Sequence, residues 1–303
     1  MRYAVCFRSA GLLALAASSS VAVAAANPLS SWNLIVRNDL HSTSEVDGSV
    51  LMGGSIYGTS NCSIHSVTSP NGDGLAIAGN IASGSIVQIN SGGNLRISGS
   101  NLGTAVLNGG GTTISDPTVG TTVSAAFTAI QGISSYLSGL TPNGTLDNAG
   151  NLNATPTLIN GVLVAVYSFN QSALQGLGQL NLNIGSASSV IINVTPDGSG
   201  NVNLAAPPNM VGAFSQTNSS KILWNFPGAT KITVNNNLNG AFIAPSAELD
   251  LLGGGINGSV VVDNVAVQNA EIRANVYTGF VPAPGGVAPI SIGGLIAFAR
   301  RRR

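Results

Sequence analysis

The central part of the chain alternates apolar and polar residues over short stretches that Gly and Asn separate. An alternation of period two is typical of β-strands, and Gly and Asn favour the turns between them. The pattern predicts strands at residues 75–77, 85–89, 94–97, 105–107, 162–169, 180–184, 190–194 and 222–226. An all-β domain is therefore expected.

An internal repeat strengthens the prediction. Residues 239–244 (NGAFIA) are followed 18 positions later by residues 257–262 (NGSVVV), and residues 47–52 (DGSVLM) open in the same way. Short strands at a fixed period predict a β-solenoid, in which coils stack on one another. Inward Val, Ile and Leu would form its core, and Gly and Asn would occupy its corners.

Residues 124–140 instead place apolar side chains at intervals of three and four, which is a helical period. These side chains are Phe127, Ile130, Ile133, Leu137 and Leu140. We predict one helix alongside the coils, with Thr121, Thr122 or Ser124 as its N-cap and Pro142 beyond its end. Residues 142–157 are rich in turn formers and are predicted to form a surface loop.

The first 26 residues have the composition of a signal peptide. Arg2 and Arg8 precede an apolar run, and small residues place the cleavage after Ala24 or Ala26. The alternative is a permanent membrane helix. The apolar run is short and three serines interrupt it, so we predict cleavage and export.

The last 23 residues combine an extended start, a short apolar stretch and a basic end. In chain order these are Val281, Pro282, Ala283 and Pro284, then residues 287–299, then Arg300, Arg301, Arg302 and Arg303. A stable spanning helix needs about 20 apolar residues, and this stretch has 13. Because the arginines stay cytoplasmic, we predict transient insertion into the inner membrane, with a permanent anchor as the alternative.

The number and distribution of charged residues exclude some classes of function. Charged residues make up 7% of the chain, against about 25% in average proteins. Between the two ends, five basic and eleven acidic residues give a formal charge of −6. No basic stripe is present, so nucleic acid is not an expected partner. Cys6 leaves with the leader, and Cys62 then has no partner for an intramolecular disulfide.

Candidate chemistry is sparse. His41 and His65 are interpreted as surface-loop residues, and Cys62 with His65 provides only two of the three or four ligands that a metal site needs. Glu45 and Asp47, near Asp39, could form a carboxylate pair because residues two apart in a strand share a face. We interpret the pair as a solvated rim or a weak cation site and not as a catalytic one.

A second carboxylate pair, Glu248 and Asp250, alternates with leucines and is interpreted as the outward side of a strand. None of these groups forms a recognisable catalytic arrangement. We predict no enzyme, no cofactor and no metal site.

Two stretches resemble the choice-of-anchor A domain family. Residues 32–40 (WNLIVRNDL), followed by residues 45–48 and 52–54, are similar to the opening of those domains, and residues 239–245 followed by 256–258 are similar to their close. The resemblance implies a surface-protein domain over residues 27–280, between the leader at 1–26 and the tail at 281–303. Some members of the family are linked to adhesion.

The tail resembles the PEP-CTERM sorting signal of Gram-negative bacteria, with Ala283 where Glu is usual. That resemblance implies an exosortase-type processing enzyme as a partner, besides the export machinery. Residues 223–226 and 239–245, with the preceding helix, resemble ice-binding-type β-helices. The implied fold is a right-handed β-helix with one α-helix packed alongside.

The expected function is that of a structural or adhesive protein without catalytic activity. It would lie at the cell envelope, on the outer surface or in the extracellular matrix, and an extracellular polysaccharide or a cell surface would be its partner. The alternative is a ligand-binding β-helix module for a glycan or for ice.

Overall fold

Short strands make up most of the chain, and they form where the apolar and polar residues alternate. The computed structural model describes residues 27–204 and 208–281. The N-terminal part contains α1 (Pro28–Ser31), β1 (Leu34–Val36), β2 (Leu40–Ser42), β3 (Glu45–Val46), β4 (Val50–Met52), β5 (Ile56–Cys62), β6 (Asp73–Ile77), β7 (Ile86–Ile89), β8 (Asn94–Ile97), β9 (Thr104–Leu107) and β10 (Thr113–Ser115).

A long helix separates this part from the remaining strands. The elements after β10 are α2 (Val119–Ser138), β11 (Gly144–Leu146), β12 (Asn151–Ala154), β13 (Thr157–Ile159), β14 (Val162–Asn170), β15 (Gln179–Leu182), β16 (Ser189–Thr195), β17 (Asn201–Leu204), β18 (Asn209–Gly212), β19 (Ile222–Asn225), β20 (Lys231–Asn239), β21 (Ala241–Asn257), β22 (Val260–Gln268) and β23 (Ile272–Arg273). The mostly β architecture is confirmed, and each of the eight predicted strands lies within two residues of its observed bounds.

Most strands pair in parallel and stack into three columns. The chain contributes strands to the columns in turn, which completes one coil, and then continues into the next coil. Column A contains β1, β4, β6, β8, β10, β14, β16, β19 and the first parts of β21 and β22. Column B contains β2, β17 and parts of β5, β20, β21 and β22. Column C contains β3, β7, β9, β23 and the last parts of β5, β20 and β21.

The two ends of the domain meet inside the stack. Leu34 in the first coil pairs with Val50 of the second coil on one side and with Val260 of the last coil on the other. The first coil is therefore an interior coil. Residues 32–40, which resemble the opening of a domain, are therefore neighbours in space of residues 239–245 and 256–258, which resemble its close.

The 18-residue repeat corresponds to two adjacent coils. Phe242 pairs with Val260 in column A, and the Asn257 side-chain amide donates to Asn239 Oδ1 at 2.7 Å. At the corner between these coils, a Cβ on Gly258 would lie 2.5 Å from the carbonyl carbon of Gly240. Glycine is required at position 258 because the backbones of the two coils approach too closely for a side chain.

Inward aliphatic side chains from all three columns form one continuous core. Aromatic residues fill it in the C-terminal coils, where Phe214, Trp224 and Phe226 stack and Phe226 packs against Phe242. The Trp224 indole nitrogen donates to the carbonyl of Asn239 at 3.0 Å. The buried indole therefore keeps a hydrogen-bond partner.

Helix α2 covers the outer side of column A and forms a second apolar cluster with it. Its buried side chains include Phe127, Ile130, Ile133 and Leu137, as the helical period predicted. The helix begins five residues earlier than predicted, because Val119 and Val123 also pack against column A. The three predicted N-caps lie inside the helix, and Thr118 is the N-cap residue.

The predicted surface loop at residues 142–157 is wrong. β11 and β12 form an antiparallel hairpin there, and β12 continues into a second sheet with β15 and β18. Asp147 Oδ1 accepts the backbone amides of Ala149 and Asn151 at 2.9 and 2.8 Å, which closes the hairpin turn. Turn-forming residues predicted the turn but concealed the two strands beside it.

Candidate functional site

The outer sides of columns B and C form the surfaces on which the described chain can present polar groups. Helix α2 covers the middle of column A, where outward residues such as Leu51, Ile191 and Leu223 are buried. At the end of the column that β8 and β10 form, outward residues such as Arg96 remain partly exposed. In columns B and C, inward buried residues alternate with outward residues that are mostly polar, as in β20 at Ile232 and Thr233. Parallel neighbours lie about 4.7–4.9 Å apart, so outward side chains form regular rows.

An ion cluster lies on β20 and β21 in column B. Lys231 Nζ is 3.0 Å from Glu248 Oε1 and 2.9 Å from Asp250 Oδ2. The hydrogen bond with Asp250, and then that with Glu248, raises the pKa of Lys231. Glu248 and Asp250 thus point outward as predicted, and they neutralise a lysine in the neighbouring strand.

An aromatic pair lies further along column B. The rings of His41 and Tyr57 stack at a centroid distance of 4.5 Å and an angle of 8°. His41 belongs to β2, so its interpretation as a loop residue is wrong. The two residues are register partners in adjacent parallel strands, and this pairing brings the rings together.

Glu45 and Asp47 border a cleft on column C, together with His65, Glu271 and Arg273. Partial burial, and then the hydrogen bond and charge of Glu271, raise the pKa of Glu45. The carboxylate that pairs with Glu45 is thus Glu271, which is remote in sequence. Asp39 lies elsewhere and accepts the backbone amide of Ser55 at 2.6 Å.

Cys62 is fully buried, and burial raises the pKa of its thiol to about 12. His65 is exposed and lies 3.6 Å from Asp47 Oδ1. Across residues 27–204 and 208–281, no group of three or more His, Cys, Asp or Glu residues is placed to hold a metal ion.

A second cleft lies beside the first turn of α2 and was missed from the sequence. Arg96 bridges Asp73, with 2.8 Å between Nε and Oδ2, and Asp116, with 3.1 Å between Nη1 and Oδ2. Trp32 and Thr118 also line this cleft. These residues come from four separate segments, so local spacing gave no signal for it.

The predicted leader and tail lie outside the described residues. Ala24 and Ala26 belong to residues 1–26, and Pro282, Ala283, Pro284 and the four terminal arginines belong to residues 282–303. Val281 is described and packs at the edge of the cluster under α2. No helix in the described segments has the length and apolarity to cross a membrane.

The stacked parallel coils and their uncovered polar faces define a β protein that presents long lateral surfaces. The family model described as "Putative Ice-binding-like adhesive domain" matches residues 25–274. The chain therefore belongs to this family of ice-binding-like adhesive domains. No curated protein matches the chain in sequence.

Two solved structures resemble the chain. One is an ice-binding protein from the Antarctic ascomycete Antarctomyces psychrotrophicus, with 16% identity, a TM-score of 0.34, and coverage of 82% of this chain and 96% of that chain. The other is an ice-binding protein from an Antarctic Flavobacteriaceae bacterium, with 9% identity, a TM-score of 0.33, and coverage of 80% of each chain. Both are weak likenesses of fold.

Proposed function

We propose that this chain is an exported structural or adhesive protein without catalytic activity, and that it contacts an extracellular polysaccharide or a cell surface. The observation that carries the proposal is the adhesive-domain match over residues 25–274. The uncovered outer rows of columns B and C support it, since they offer hydrogen-bonding groups at regular spacing.

The pairing of the charged groups supports a non-catalytic role. Lys231 is bound between Glu248 and Asp250, and Asp147 is engaged in a turn, whose hydrogen bonds lower its pKa. A general acid or base needs a pKa near the working pH. These groups instead favour their charged forms, which suits structural ion pairs and turns.

The proposal includes the organisation of the whole chain. A signal peptide at 1–26, cleaved after Ala24 or Ala26, precedes a choice-of-anchor A-like domain at 27–280, which we propose to be a right-handed β-helix because parallel crossovers are right-handed in about 98% of cases. The tail at 281–303 would insert transiently through a PEP-CTERM-like signal, for an exosortase-type enzyme to process. The mature protein would lie on the outer surface or in the matrix.

Deletion of the gene tests this function. We expect the mutant to change in cell aggregation, biofilm formation or retention of the matrix, and we expect the intact gene to restore the phenotype. Unchanged behaviour in all three assays would contradict an adhesive role. Mass spectrometry of surface protein tests the tail separately, because the proposal expects a C-terminus between Val281 and Pro284.

Ice binding is the second candidate, and one row on column C favours it. Thr59, Ile86 and Thr104 are register partners in three successive strands, and all three are exposed. Such a row combines methyl and hydroxyl groups at the regular spacing of parallel strands. Thermal hysteresis of the purified protein that is lost in Ile86→Lys would support ice binding, and freezing identical to that of a buffer control would exclude it.

A further inference from the structure

The cleft beside the first turn of α2 has the chemistry of a small binding site. It has a volume of about 280 Å³ and is lined by Trp32, Asn71, Asp73, Arg96, Asp116 and Thr118. This volume is close to the lower end of the range of ligand pockets, about 300–1,000 Å³. A single ring-sized ligand matches it better than an extended one.

Asp73, which lines this cleft, has one buried carboxylate oxygen without a partner among the described residues. Asp73 is 1% exposed, and its Oδ2 accepts from Arg96 Nε at 2.8 Å. Its Oδ1 accepts no hydrogen bond from any residue in the described segments. A buried carboxylate oxygen without a donor is costly, so a donor from outside the chain would stabilise it.

The guanidinium beside it also has unused donors. Arg96 donates through Nε to Asp73 and through Nη1 to Asp116. Its Nη2 donates to no residue in the parts of the chain that the structure describes. The lining of the cleft therefore includes one unused acceptor, on Asp73, and one unused donor, on Arg96.

The charges define the kind of ligand. Two carboxylates and one guanidinium give the cluster a net charge of −1, which disfavours an anion. A calcium ion takes about 6–8 oxygen ligands, whereas here Arg96 already binds both carboxylates. A neutral molecule with neighbouring hydroxyl groups fits best, because each hydroxyl both donates and accepts.

The remaining lining fits the same class of ligand. The Trp32 indole and the Ala76 methyl group give the cleft an apolar side, against which the C–H groups of a sugar ring can pack. We propose that this cleft binds a neutral sugar residue, such as a terminal or branching hexose of an extracellular polysaccharide. This inference rests on the proposed adhesive function and gives it a site.

Ligand-observed NMR with the purified full chain tests the site. The probes are glucose, galactose, mannose and N-acetylglucosamine, with glucuronate as the charged counterpart. We expect saturation transfer to at least one neutral sugar and none to glucuronate. Absence of transfer to all four neutral sugars, or transfer to glucuronate alone, would overturn the proposal.

Variants of residues that line the cleft test whether the sugar binds there. Asp73→Asn keeps the shape but loses the charged acceptor, and should weaken binding by about tenfold or more. Asn71→Trp alters an exposed residue at the cleft and should abolish binding while the thermal unfolding midpoint stays unchanged. Asp250→Asn is the matched control. It changes an aspartate in a similar group of one basic and two acidic residues on column B, where Asp250 pairs with Lys231. Wild-type affinity in Asn71→Trp would overturn the proposal.

Adhesion assays distinguish a failure of the proposed sugar site from a failure of the proposed adhesive function. Beads coated with wild-type protein should adhere to polysaccharide, and beads coated with Asn71→Trp should not. If both adhere equally, the adhesive function stands and the sugar site is wrong as its basis. If neither adheres but the wild type binds sugar in NMR, the site stands and the adhesive function is wrong.

Discussion

Columns A and B of the same stack differ in what lies on their outer side. In column A, β4 and β19 are buried at every position, since outward residues such as Leu51 and Leu223 pack against α2. In column B, Lys231 and Thr233 point outward and remain partly exposed. The chemistry of outward positions thus decides which face the helix covers and which face stays open for partners.

The largest effect is expected from Ile191→Ala. Ile191 is fully buried between column A and α2, and such truncations cost about 2–5 kcal/mol. The matched control is Ile86→Ala on column C, where the side chain is 43% exposed and the cost should be about 0.5 kcal/mol. Urea unfolding measures both. Equal losses would contradict the assignment of covered and open faces.

The second effect concerns the polar attachment of α2 to column A. Asn225 is buried, accepts from the Ser134 hydroxyl at 2.6 Å and donates to the Ser134 carbonyl and to Asn193. Asn225→Ala leaves these groups unsatisfied and should cost at least about 1–3 kcal/mol. Asn153→Ala, at an exposed site in β12, should change stability little. If the two variants unfold alike, this network does not hold the helix.

A third comparison uses the pH dependence of stability. Its sign should be opposite for Glu248 on column B and for Glu45 on column C. The hydrogen bond with Lys231 lowers the pKa of Glu248 below its ordinary value of 4.5, so its stabilising contribution is present above pH 4.5 and is lost as the pH falls through the lowered value. Burial and Glu271 raise the pKa of Glu45, so stability from Glu45 is present below 4.5 and is lost as the pH rises through the raised value.

At pH 7 Glu248→Gln should therefore lower stability, and Glu45→Gln should raise it, each by about 0.5 kcal/mol after solvent screening. Thermal unfolding between pH 3 and 7 measures the two variants against the wild type. Shifts of the same sign at pH 7 would contradict the charge arrangement.

The smallest effect is expected at Cys62, whose thiol should react only slowly with a thiol reagent in the native protein. Burial raises the pKa of this thiol to about 12, so the reactive thiolate is scarce and shielded at neutral pH. A thiol reagent should label the native protein only at the rate at which the coils open, and should label the denatured protein at once. Rapid labelling of native protein would show that the core at β5 is open.

Local patterns predicted much of this fold. The period of two gave the strands, the 18-residue repeat gave two stacked coils, and the period of three to four gave α2. The placement of the first coil beside the last depends on pairs such as Leu34 and Val260, which are remote in sequence. No local pattern reports such a pair.

The candidate site was less predictable for the same reason. Glu248 and Asp250 were predicted to point outward because they alternate with leucines, but their partner Lys231 belongs to another strand. Arg96 meets Asp73 and Asp116 only because β6 and β8 pair and α2 begins nearby. Sequence spacing identifies groups on one strand, whereas this site is assembled across several.

Bead retention under flow tests the adhesive function most directly. Beads that carry the purified full chain pass over a surface of extracellular polysaccharide, beside beads that carry an unrelated protein of similar charge. The account predicts that the coated beads remain bound at shear forces that remove the control beads. Equal removal of both kinds of bead, from polysaccharide and from whole cells, would contradict it.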